Sequence, residues 1–130
     1  MATARIAEEL ALLRLHYTTV DHTEANSMRW FRVVPVRMPE SCSPDRVEVV
    51  FAVTQGYPGA EPYGFYIPRA LTVNGAAPNE HGPPHSPPFP GEWRFLSWSP
   101  VDWHPTADVQ TGSNLWAWVR TFAQRLREGQ

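Results

Sequence analysis

The chain predicts an α+β fold with an antiparallel sheet. Apolar residues repeat at helical spacing near both ends. Between the ends, β-branched and aromatic residues alternate in a run of strands joined by turn-type residues. Strands kept together, with helices only at the ends, give α+β rather than a parallel α/β sheet.

The N-terminal helix is expected over Thr3–Leu15. Ile6, Leu10 and Leu13 share a face that Leu12 and Leu15 widen, Thr3 is the candidate cap, and Glu8 and Glu9 lie early, where the helix dipole favours acids. The period then changes from helical to alternating. His16–Asp21 reads as a first strand and His22–Ser27 as a turn. Arg29–Val36 is the second strand, in which Pro35 demands an edge or a bulge. Met38–Asp45 is a loop. Arg46–Thr54 is the clearest strand: Val47, Val49, Phe51 and Val53 line one face, while Val50 and Ala52 call for cover on the other, assigned here to the first helix. After the rigid turn Gly56–Gly64, Phe65–Ile67 and Ala70–Val73 form a fourth, broken strand that ends at Asn74-Gly75.

Residues 76–91 contain Pro78, Pro83, Pro84, Pro87, Pro88 and Pro90, which exclude a helix or a central strand; an extended surface loop is expected. Trp93–Trp98 is short and aromatic, and Trp103–Thr111 irregular. Ser113 or Asn114 caps a last helix, with Leu115, Trp118, Val119, Phe122 and Leu126 on its apolar face and Arg120, Arg125 and Arg127 off it.

A chain of 130 residues is expected to form one domain, 1–130, burying about two thirds of its unfolded surface. A net charge of −2 gives no electrostatic case for nucleic acid or an anionic membrane. The N-terminus lacks a secretory pattern and no apolar run nears about 18 residues, so a cytoplasmic protein without a membrane span is expected. Cys42 is the single cysteine and has no internal disulfide partner. All eleven basic residues are arginine. A GC-rich genome favours arginine codons; a protein working beside activated carboxyl groups would also do well without lysine amines.

In order and spacing, these motifs resemble the ubiquitin-conjugating (E2) family. Tyr57-Pro58-Gly59-Ala60-Glu61-Pro62 is similar to its Tyr-Pro-x-x-Pro-Pro turn. Counting from Tyr57, its His-Pro-Asn motif falls on Thr72-Val73-Asn74, where only the asparagine matches. Its Trp-x-Pro matches Trp103-His104-Pro105. The Gly-Tyr-Pro-x-x-x-Pro-x-x-Phe turn, the Asn-Gly strand end, Trp93–Ser97 and Trp103–Asp108 resemble more closely the prokaryotic E2 family E. The resemblance implies an E2/UBC-like fold: N-terminal helix, four-stranded meander, long irregular crossover, C-terminal helix. It also implies a role in bacterial ubiquitin-like conjugation. The expected partners are an E1-like activating enzyme, a ubiquitin-like protein and a metalloprotease of the same pathway, with no cofactor or metal.

The family's catalytic cysteine should lie between Asn74 and Trp103, and no cysteine is there. Ser97, six residues before Trp103, is the best-placed hydroxyl, with Ser99 and Ser86 as lesser candidates. A serine nucleophile needs a base, for which Asp102, His104 or Asp108 is the candidate. Asn74 is the candidate amide donor to an oxyanion, although Asn-Gly is also ordinary turn chemistry. Cys42 precedes the Tyr-Pro turn and reads as incidental. His81 and His85 are four apart, but prolines prevent the helix that would bring them together at a metal.

Overall fold

The structure, a computed structural model, describes residues 2–80 and 82–128. Its elements are α1 (Ala2–His16), β1 (Thr19–Ala25), β2 (Met28–Arg37), β3 (Cys42–Ser43), β4 (Arg46–Val53), β5 (Phe65–Pro68), β6 (Thr72–Val73), β7 (Trp93–Leu96), α2 (Leu115–Arg120) and α3 (Phe122–Glu128). The main sheet has the order β1-β2-β4-β5-β7, every neighbour antiparallel; β3 and β6 form a separate two-residue ladder. The α+β expectation holds, with helices at both ends of the chain.

Several boundaries move, each for a tertiary reason. Helix α1 starts at Ala2, so Thr3 lies inside its first turn. The expected first strand shifts to Thr19–Ala25, because pairing with β2 carries β1 through polar residues to a tight turn at Asn26 and Ser27, both at positive φ. Pro35 falls where the β2–β4 register shifts between Val33 and Val36; since β2 lies between β1 and β4, the proline is accommodated by an irregularity and not by an edge. The fourth strand divides: Phe65–Pro68 stays in the sheet, whereas Thr72–Val73 leaves it to pair with Cys42–Ser43. Trp93–Leu96, read only as an aromatic segment, adds a fifth strand beside β5, so the expected four-stranded meander is incomplete. The last helix is broken at Thr121, whose hydroxyl bonds the Trp118 carbonyl at 2.7 Å.

One core lies between the sheet and the helices. Val47, Val49, Phe51 and Val53 meet Ile6 and Leu13 of α1, Trp118 and Val119 of α2, and Phe122 and Leu126 of α3. The Phe122 ring stacks on Phe65 at 4.0 Å and meets Phe51 edge-on at 5.9 Å. The opposite face of the sheet is covered, but not by α1. Trp30, Val50, Tyr66 and Phe95 form a second buried cluster, over which Phe89 and Trp93 pack. The proline-rich segment is the cover: the Tyr66 hydroxyl donates to the His85 carbonyl at 2.8 Å, and the Trp93 indole donates to the Phe89 carbonyl at 3.3 Å. Glu80 ties the start of this segment to the sheet, pairing with Arg69 at 2.6 Å and Arg94 at 3.4 Å. Prolines suit it to this work, since it lies flat on aromatic rings with few backbone donors left to satisfy. No helix among the described residues is long and apolar enough to cross a membrane.

Candidate functional site

Two of the motifs, the Tyr57-Pro58 turn and Trp103-x-Pro105, meet near the Gly64 end of β5. There the Trp103 indole donates to the Pro58 carbonyl at 2.8 Å and its ring lies 5.9 Å from that of Tyr57. The Tyr-Pro turn and the Trp-x-Pro segment are therefore joined directly. Beneath them lies a buried polar network. Glu9, with no solvent exposure, accepts from Arg5 Nε at 2.9 Å, from the Tyr57 hydroxyl, and from the Leu115 amide at 2.9 Å. The last of these satisfies an orphan donor at the start of α2 and sets a carboxylate at a helix N-terminus. Arg5 also donates to the Thr106 carbonyl and, at 3.1 Å, to the Ser113 carbonyl. Burial, with the Glu9 carboxylate beside it, pushes the Tyr57 phenol far above its ordinary value.

Glu9 was read above only as an acid placed early in the helix; it is the buried junction of α1, the Tyr57 turn and α2. A signal was available, because Glu9 lies three residues after Ile6 and four before Leu13, on the apolar face. Arg125 is a second such case. It was placed off the apolar face, yet it is buried between Phe122 and Leu126, and its Nε donates to the Ser97 carbonyl at 3.0 Å. Burial lowers the Arg125 pKa, with Glu128 acting against the shift.

Ser97 follows β7, whose Leu96 pairs with Phe65, and precedes Trp98, whose carbonyl accepts from the Gly64 amide at 2.8 Å. Gly64 has φ +72°, and an added Cβ would lie 2.3 Å from the Phe95 ring, so the close approach of these strands requires glycine. The Trp98 indole bonds Thr121 Oγ1 at 2.9 Å. Ser97 is thus half-buried in a segment that α3 and Thr121 hold from below.

The candidate bases lie on the loop that follows. Asp102 is exposed at φ 55°. His104 is exposed, with its amide and carbonyl both held by Ser113. Asp108 accepts from the Gln110 amide at 2.9 Å and serves a local turn. Ser99 is exposed, and Ser86 sits in the proline-rich cover.

Asn74 lies elsewhere. It follows β6, beyond the Pro68 end of β5, has φ 53°, and donates its amide to the Ser41 carbonyl at 2.8 Å. Its neighbour Val73 is paired with Cys42. Ser97 therefore follows a strand of the main sheet, whereas Asn74 follows the separate β3–β6 ladder. The structure brings Asn74 close to the Cys42 strand. Cys42 is buried, and burial raises its thiol pKa, the opposite of what a reactive cysteine needs.

Among the described residues no three His, Cys, Asp or Glu side chains gather as a metal-holding group. His81 lies outside the described residues, and the carbonyl of His85 accepts from Tyr66. Compared with protein-family models, curated proteins and solved structures, the chain matches none.

Proposed function

We propose that this protein is an E2-like carrier in a bacterial ubiquitin-like conjugation pathway. It accepts the activated C-terminus of a ubiquitin-like protein from an E1-like enzyme and transfers it to an amine through an oxyester on Ser97. The observation that carries this reading is the union of the Tyr57-Pro58 turn with Trp103-x-Pro105, with Ser97 at the same end of the sheet. The near absence of exposed amines, with no lysine in the chain, accords with it.

In the first step the Ser97 hydroxyl oxygen attacks the carbonyl carbon of the E1-bound thioester. A C–O bond forms, the C–S bond breaks, and the hydroxyl proton passes through a base to the departing thiolate. Asp102 and His104 are the groups in the same loop able to take that proton. In the second step an amine attacks the oxyester, a C–N bond forms and the serine hydroxyl is regenerated. Asn74 is the candidate amide donor to the oxyanion. The E1-like enzyme and the ubiquitin-like protein are the required partners, and a metalloprotease of the pathway would reverse the linkage.

A second reading, favoured by the pairing of the Asn74 segment with the Cys42 strand and the exposure of Asp102 and His104, is a non-catalytic E2 variant that binds the E1 or the ubiquitin-like protein as an adaptor. One incubation separates the two: the protein, its E1, its ubiquitin-like partner, ATP and magnesium. The carrier gives an adduct that survives thiol reductant, yields to mild base and disappears in Ser97→Ala. Stable binding with no adduct establishes the adaptor. An adduct lost only in Cys42→Ala would move the site to the other end of β5.

A further inference from the structure

Helix α1 has a second exposed side, away from the Tyr57 network. Two open grooves of about 530 and 320 Å³ run along it and share Leu12, Leu15 and Gln110. Together they form one trough between α1, the 108–112 segment and α2. Its middle is apolar: Leu15 is 75 % exposed and Val109 faces it from the opposite wall. Its ends differ in charge. Glu8 and Asp108 line one end. Arg120 and His16 line the other, with no acidic residue among its lining groups.

The basic end is built in advance. The His16 ring stacks on Trp116 at 3.6 Å and 6°, while Arg120 Cζ lies 4.1 Å from the Trp116 centroid. Two groups this close to one ring centre must occupy opposite faces, so the indole is held between imidazole and guanidinium. Stacking holds the exposed Arg120 guanidinium over the ring, and a guanidinium can grip a carboxylate with two parallel hydrogen bonds. The distance from Glu8 to His16 along α1 is roughly 12 Å at about 1.5 Å per residue. That span fits about four residues of extended peptide.

We propose that this trough binds an extended segment of a partner protein, about four residues long, with a cationic side chain at one end, apolar side chains in the middle and a carboxylate at the other. The carboxylate is held by Arg120, the apolar side chains lie on Leu12, Leu15 and Val109, and the cation faces Glu8 and Asp108. The opposed charges set the orientation of the segment and reject ligands of a single sign. This surface is separate from Ser97, and its role stands whether the protein is a carrier or an adaptor.

The test uses three N-acetylated, C-amidated peptides, Arg-Leu-Leu-Glu, Arg-Leu-Leu-Arg and Glu-Leu-Leu-Glu, titrated into the full chain. The indole and backbone NMR signals of Trp116 and the backbone signals of Leu15 and Gln110 are followed. The mixed-charge peptide should shift them with a dissociation constant on the order of 1 mM or below. The single-sign peptides should bind at least about tenfold more weakly. Arg120→Glu should transfer the preference to Arg-Leu-Leu-Arg, and Glu8→Arg to Glu-Leu-Leu-Glu. Both positions are exposed, so each variant should retain the wild-type spectrum elsewhere. Equal shifts with all three peptides, no shifts at these residues, or preferences unmoved by the two charge reversals would overturn the proposal.

Discussion

At the Gly64 end of β5, parts of the chain far apart in sequence are locked together by buried polar groups. The Glu9–Leu115 bond spans 106 positions and the Glu9–Tyr57 bond 48. At the Pro68 end, Asn74 and Cys42 meet through a two-residue ladder and one backbone bond to Ser41, without a buried charge. The first end carries the Tyr57-Pro58 turn and Trp103-x-Pro105, and the second carries the asparagine that spacing alone would have grouped with them. A linear motif count therefore joins residues that the sheet register holds apart. Cross-chain connection, not proximity in sequence, marks the end where a reacting group would be held rigidly.

The largest expected effect tests the buried junction. Glu9→Ala leaves Arg5 as an uncompensated buried cation and orphans the Leu115 amide, so unfolding free energy should fall by about 3–5 kcal/mol in urea melts. A loss below about 1 kcal/mol would mean that the two ends are held alike. Next comes Gly64→Ala, where the new Cβ meets the Phe95 ring in a left-handed backbone; about 1–3 kcal/mol is expected, with Asn74→Ala as the comparison at the other end. Tyr57→Phe removes one donor from Glu9 and should cost about 1–3 kcal/mol by the same measurement.

Alkaline pH provides a further contrast. Both Tyr57 and Cys42 have folded pKa values raised above their ordinary 10.0 and 9.0. Each therefore binds its proton more tightly when folded, and its contribution is fully present below the ordinary value and lost as pH rises past it. Stability should decline from about pH 9 upward, first through Cys42 and then through Tyr57. Tyr57→Phe should flatten the later part of the decline, and Cys42→Ala the earlier part. A profile unaffected by either substitution would contradict the burial described here.

The smallest expected effect is also the sharpest for function. Asn74→Gly keeps the left-handed turn available and should alter stability by less than about 0.5 kcal/mol. If Ser97 acts without Asn74, the variant forms the oxyester adduct at the wild-type rate. Loss of the adduct in a fully stable Asn74→Gly protein would show that the asparagine has a chemical role and would break the division between the two ends.

Periodicity alone was enough to mark both terminal helices, the Arg46–Val53 strand and its core face, because side chains must repeat with the backbone that carries them. The indoles of Trp93, Trp98 and Trp103 pin the crossover, bonding Phe89, Thr121 and Pro58 in turn. Arg125 was misread, and the burial of Glu9 was not foreseen, because an isolated acid or guanidinium is costly to bury, and only partners from distant segments make burial tolerable. The partner of Glu9 at Leu115 cannot be inferred from local pattern.

By itself, the sequence determined the fold class, the apolar faces and the order of the Tyr-Pro, Asn-Gly and Trp-x-Pro motifs, since these depend on local geometry and the spacing of side chains. Only the tertiary structure decided which motifs meet. Register made Trp93–Leu96 a fifth strand, turned the proline-rich segment into the lid of a second aromatic cluster, and set Ser97 and Asn74 at opposite ends of β5. Hydrogen-bonded pairing between strands is a long-range choice, and a shift of a few residues in it changes which side chains can touch while leaving the periodicity of each strand unaltered.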